Sequence, residues 1–232
     1  MNMEGIALEK LEFKPDCDLL IKKMHLREGR PETDRFREMA LEAQKVSIPK
    51  AFYKISRIMS RSQKRMLVDS QEFESRILRV NTDTLNRTFP FVVTCGTELT
   101  RWADEFTDML DKLFADELKL AALRSAMTQL QNDIKTRYDT GDLSQMNPGS
   151  LDDWSIYEQK KLFALLGEGA SHIGVELLSS MVMYPDKSES GIFFEKEEQF
   201  INCRLCPVKK CPSRKAAFDS GLYDREYRPS ED

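Results

Sequence analysis

The sequence predicts an α+β fold, and three observations predict it. Segments with helical periodicity come first and return later, with short β-rich runs gathered between them, so the order lacks the regular alternation of βαβ units. One run, FPFVVTCG at 89–96, is almost wholly apolar and reads as a buried strand. Residues 100–138 then read as one long helical region whose small side chains permit close packing.

Composition supports a folded, soluble chain. Its 232 residues are 41% hydrophobic and 32% charged, enough for one large domain or two small ones with a real core. The formal net charge of -4 argues against a general nucleic-acid binder, because phosphate binding needs a basic face. Lys209 and Lys210 form a local basic cluster, of the kind that is most often solvated surface. No stretch has the length and apolarity of a membrane span, and the first residues lack the basic start and apolar run of a secretory signal. The expected location is the cytoplasm, where clustered cysteines read as metal ligands or redox groups before disulfides.

The elements follow in order. Residues 1–13 alternate loosely and can add a strand, and 16–23 and 32–45 are expected to be helical, separated by a break at Gly29, Arg30 and Pro31. In the second helix Phe36, Met39, Ala40 and Ala43 recur at three- and four-residue steps and make one apolar stripe. Four β-rich runs follow: AFYKISRIM, RMLVDS, SRILRV and the apolar FPFVVTCG, closed by Gly96. In the long helix the expected buried stripe is Leu110, Leu113, Phe114, Leu118, Ala121, Ala122, Ser125 and Ala126. A loop at 141–154 contains the turn signal Asn147-Pro148-Gly149. Ser155 and Glu158 have capping-box spacing ahead of a helix carrying Leu162, Phe163, Leu165 and Leu166. Two β-like runs, VELLSSMVMYP and SGIFFE, precede a cysteine-rich tail. The organisation expected is an N-terminal helical segment at 1–48, an α+β core at 49–200 and a cysteine-rich segment at 201–232.

The sharpest chemical signal is CRLCPVKKCPSR. Cys203, Cys206 and Cys211 form a C-x2-C-x4-C array, in which the two-residue gap lets two sulfurs turn toward one metal ion or cluster. Pro207 and Pro212 each follow a cysteine, as is common around iron–sulfur clusters. Arg204, Lys209, Lys210 and Arg214 would offset thiolate charge. Three thiolates are one short of a closed tetrahedral zinc site or a four-cysteine cluster, and Cys95, Cys17, His25 or an outside molecule could complete the set. The expectation is an iron–sulfur cluster or zinc at Cys203, Cys206, Cys211 and Cys95; free thiols are the plain alternative. Cys95 alone also reads as a small buried hydrophobe, and His172 as a packing or hydrogen-bonding residue. No dinucleotide fingerprint, P-loop or nucleophile elbow is present.

The second half of the chain resembles a known family. MNPGSLDDWSIYEQKKLFALLG and HIGVELLSSMVMYPDKSESGIFF are similar to the activation domain of cobalamin-dependent methionine synthase. The resemblance is carried by Pro148-Gly149, the following helix, Ile173-Gly174, Leu177, Ser180, Met183, Pro185, Ser188 and Ser190-Gly191. It implies a methionine synthase activation domain-like α+β fold, with a twisted antiparallel sheet and flanking helices. It also implies S-adenosylmethionine as ligand, with Gln145, Asn147, Pro148, Gly149 and Ser150 lining the cofactor site. The implied partner is a corrinoid protein or corrinoid-dependent methyltransferase. Gln145 stands where the family carries an arginine and Ser150 where it often has an aromatic residue. The glutamate expected in the long helix falls at Arg124 or Thr128. The tail cysteines also depart from the family pattern.

Three functions fit these readings. The first is an accessory protein that aids reductive activation of a corrinoid cobalt centre through its cysteine site. The second is a non-enzymatic binding module stapled by zinc. The third is an S-adenosylmethionine-binding activation domain of methionine synthase type.

Overall fold

The computed structural model describes residues 5–196, 198–211 and 214–228. Its centre is the apolar run, which forms β6 (Arg87–Thr94) with every residue after Arg87 buried. Burial of β6 on both faces explains why its sequence does not alternate. Phe89, Phe91, Val93 and the following Cys95 join one core, and Val92 joins another on the opposite face.

All strand pairs of this sheet are antiparallel. β2 (Lys50–Tyr53) and β3 (Ser56–Arg61) run end to end along one edge of β6, with Lys50 opposite Thr94 and Ser56 opposite Thr88. β1 (Ile6–Leu8) extends the sheet beyond β2. β4 (Arg65–Val68) and β5 (Gln71–Glu74) extend it beyond β3. On the other edge β10 (Ser188–Glu195) pairs with β6, and β7 (Leu143–Met146) pairs with β10. A separate two-residue hairpin joins β8 (Glu176–Leu177) to β9 (Met183–Tyr184), all that forms of the VELLSSMVMYP run.

Helices cover both faces. On the first lie α1 (Cys17–Lys23), α2 (Pro31–Val46), α4 (Thr97–Asp104) and α5 (Met109–Tyr138). The α2 stripe of Phe36, Met39, Ala40 and Ala43 is wholly buried there, as its spacing predicts. On the second lie α3 (Arg76–Asn81), α6 (Gln159–Leu166) and α7 (Gly169–His172), around the buried Trp154. α8 (Leu222–Glu226) returns the tail to this face through Leu222 and Tyr227.

Several local expectations are corrected. SRILRV is the helix α3, not a strand. The Ser75 side chain accepts from the Leu78 amide at 3.0 Å, and Asp153 accepts from the Ile77 amide at 2.9 Å. These caps outweigh the β preference of Ile77 and Val80. The helical region 100–138 is broken: α4 ends at Asp104, and Asp108 caps α5 by accepting from the Leu110 and Asp111 amides. Leu110 and Leu113 are exposed, and the buried stripe starts at Phe114 and runs to Ile134. β7 lies inside the expected loop. Ser155 does cap, but it heads a 3-10 turn, and Glu158 accepts from the Glu74 amide at 3.0 Å instead of closing a capping box.

No helix among the described residues is long and apolar enough to cross a membrane.

Candidate functional site

Gln145 on β7 and the turn that follows it, from Asn147 to Ser150, are the five residues singled out for cofactor binding. Gly149 has φ 83°, a conformation glycine adopts without strain, and a Cβ there would meet Ile156 Cδ1 at 2.7 Å. The turn is closed by Gly149 N donating to Trp154 O at 2.7 Å and Ser150 N donating to Asn147 O at 3.1 Å. Pro148 has no amide proton to give.

β10 brings a carboxylate to the same place. Period-two alternation puts Glu189 on the sheet face that carries Phe193 and Val93. Gln145, paired with Phe193, stands on that face too. Gln145 Nε2 donates to Glu189 Oε1 and, at 3.0 Å, to Asn147 Oδ1. Asn147 Nδ2 donates to Glu189 Oε1 at 3.1 Å and to Ser190 O at 2.8 Å. Gly191 permits this approach, since a Cβ there would lie 2.5 Å from Met146 O and 2.7 Å from Asn147 Nδ2. On the opposite face the buried Gln159 amide donates to Ser190 Oγ at 3.1 Å. Burial pushes the Glu189 carboxyl above its ordinary range, against the pull of Gln145, the Lys215 ammonium and Asn147.

Sequence reading missed Glu189. Its signal was available: in the S-E-S-G-I-F-F run, alternation places this acid on the same side as Phe193. What could not be read was that Gln145 and Asn147 would meet it from a strand 42 or more positions away.

The tail lies against this turn. Asn202 Nδ2 donates to Ser150 Oγ at 3.0 Å, and Lys215 acts electrostatically on Glu189. The four cysteines do not assemble a metal centre, which corrects the expectation of iron–sulfur or zinc. Among the described residues no group of three or more His, Cys, Asp or Glu side chains can hold a metal ion. Cys95 is fully buried in the first-face core, where burial pushes its thiol up to about 11, and its Sγ lies 3.6 Å from Thr100 Oγ1. Cys206 packs against the second-face core, so the sheet stands between the two. Cys211 is exposed, and Cys203 Sγ accepts from the Lys215 amide at 3.3 Å. Pro212 lies outside the described residues.

Arg214 organises the tail instead. Its guanidinium donates to the carbonyls of Cys203 at 2.9 Å, Ala216 at 3.0 Å and Cys206 at 3.0 Å, and also to Val208 O. A planar fork with five donors can gather several carbonyls in this way, and it needs no thiolate. The remaining flagged residues are apart from the turn. Cys17 heads α1 against the first-face core, and His25 follows α1 with φ 56°. His172 Nε2 lies 2.7 Å from Glu9 Oε1, in accord with a hydrogen-bonding role. Arg124 and Thr128 are on α5, where Thr128 Oγ1 donates to Arg124 O.

A surface groove of about 780 Å³ opens elsewhere, lined by Tyr53, Asp69, Tyr138 and Leu165 among others. Tyr53 is tied there to Asp133 at 2.6 Å, but the groove contains none of the residues flagged from sequence. The groove and the polar cluster at the β7 turn have no residue in common.

This architecture is of one class: an activation-domain-like α+β fold, with a twisted antiparallel sheet flanked by helices. Among solved structures, that of the MetH reactivation domain bound to AdoHcy matches 86% of this chain and 81% of its own, with a TM-score of 0.60 and 15% identity. At that identity the likeness is one of fold. No protein-family model and no curated protein sequence matches the chain.

Proposed function

We propose that this chain is an activation-type domain serving a corrinoid-dependent methyltransferase system. In this reading it holds an adenosyl compound at the β7 turn and docks on the corrinoid protein or methyltransferase. The observation that carries it is the fold likeness over most of both chains, to a domain whose structure contains AdoHcy. The polar cluster of Gln145, Asn147 and Glu189 supports it, because it gathers hydrogen-bonding groups beside a tight turn at an edge strand. In this reading Gln145, Asn147, Pro148, Gly149 and Ser150 are the residues beside the bound adenosyl compound.

Electron delivery by a metal at the cysteines has no place in this function. The tail acts as a covering segment that passes across the turn, with Asn202 touching Ser150. The test is calorimetric titration of the full chain with AdoHcy, S-adenosylmethionine and 5′-methylthioadenosine. At least one is expected to bind with micromolar to submillimolar affinity, and the complex is expected to retain a purified corrinoid protein on gel filtration. Absence of heat for all three at millimolar concentration would remove the reading.

A further inference from the structure

Cys203 and Cys206 take no part in the site described above, yet their backbone geometry suits one reaction. Asn202–Arg204 form a 3-10 turn, which continues as the Cys206 amide donates to the Cys203 carbonyl at 3.4 Å. A turn closed in this way keeps its end Cα atoms within about 7 Å of each other, and disulfides span Cα separations of about 4.4–6.8 Å. A second, independent tie holds the pair. Arg214 Nη1 donates to Cys203 O at 2.9 Å and its Nη2 to Cys206 O at 3.0 Å, so one guanidinium grips both carbonyls.

The two thiols differ in their surroundings. Cys203 Sγ accepts from the Lys215 amide at 3.3 Å in an exposed part of the tail, whereas Cys206 packs against the second-face core. Neither is fully buried. Cys203 is therefore the thiol that an outside reagent meets first, and Cys206 stands one turn behind it.

We infer that Cys203 and Cys206 form a dithiol pair that converts reversibly to an intramolecular disulfide by exchange with a low-molecular-weight disulfide. The Cys203 thiolate attacks one sulfur of the small disulfide, whose S–S bond breaks as the first small thiolate leaves. The Cys206 thiolate then attacks the Cys203 sulfur of the mixed disulfide and expels the second. Two electrons pass from the protein to the small disulfide, and the two cysteine protons go to the two departing thiolates. The new bond closes a ring over Arg204 and Leu205. It braces the turn that begins at Asn202, whose side chain touches Ser150. The inference stands apart from the adenosyl reading.

The test equilibrates the reduced full chain with mixtures of reduced and oxidised glutathione, quenches in acid, alkylates the free thiols and maps the bonds by mass spectrometry. A Cys203–Cys206 bond is expected, reversed by dithiothreitol, with alkylation of both residues falling together by about tenfold or more. Cys211→Ser is expected to leave that bond in place. Glutathione held singly on Cys203 or Cys206 with no bond between them, or a bond from either to Cys211, would overturn the inference. Hydrogen exchange reads the brace: the Leu205 and Cys206 amides, which close the turn, are expected to exchange about threefold or more slowly after oxidation. Cys203→Ser, with its fold checked by circular dichroism, is expected to abolish that slowing. Unchanged exchange with the bond formed would overturn the brace and leave the dithiol pair standing.

Discussion

The central strand β6 and the cysteine-rich tail both carry strong sequence signals, and they fare differently in the structure. β6 lies at the middle of the sheet, buried on both faces as its apolar run demands. The tail has cysteines at metal-binding spacing, yet its backbone is gathered by Arg214. The contrast follows from the forces involved. Apolar burial is non-directional and adds over many side chains, so a run of seven buried residues needs only to be covered. A metal site needs three or four ligands converging at fixed lengths, and sequence spacing leaves that convergence open.

The largest effect that would test this contrast is in the core. Phe91 is fully buried and stacks on Phe193, with ring centroids 4.0 Å apart. Phe91→Ala is expected to cost about 3–5 kcal/mol in denaturant unfolding, since it removes the ring and leaves a cavity in a packed sheet face. A loss below about 1 kcal/mol would show that the centre of the sheet is not the centre of stability.

Thiol chemistry sharpens the comparison next. With its thiol held near 11, Cys95 is only about one-thousandth ionised at pH 8, and it is buried. In the folded protein, alkylation followed by mass spectrometry is expected to label the exposed Cys211 first and to leave Cys95 unlabelled until denaturant is added. A zinc chelator is expected to leave the labelling rates of Cys203 and Cys206 unchanged. Chelator-induced exposure of those thiols would restore a metal to the tail.

The smallest effect concerns Arg214. Arg214→Ala removes donors to the carbonyls of Cys203, Cys206, Val208 and Ala216 but touches neither core. Hydrogen exchange in residues 201–216 is expected to rise about tenfold or more, with global unfolding shifted by about 1 kcal/mol or less. A large global loss would mean that the tail and the core unfold as one unit.

Legibility in the sequence follows the same division. The α2 stripe was readable because every residue it needs lies within three turns of one helix. Residues 75–80 turn helical through the local Ser75 cap together with Asp153, far along the chain, which accepts from the Ile77 amide and was not legible locally. The expected α5 stripe began too early. Leu110 and Leu113 have the right spacing, but both stay exposed, lining an open hollow beside Met24 and Leu26. At the candidate site, the proline–glycine turn was legible from composition, and Gly149 does adopt the positive φ that a turn of this kind needs. Glu189 was not, because its partners come from β7.

By itself the sequence determined the α+β class, the doubly buried strand and the position of the turn, since these depend on local periodicity and on how much apolar surface must be hidden. Tertiary structure alone decided which side chains meet there. Pairing β7 with β10 brought two amides to one carboxylate and turned their donors inward, and the sheet came to stand between Cys95 and Cys206. Hydrogen bonds and coordination bonds depend on distance and direction, and only the folded chain sets those.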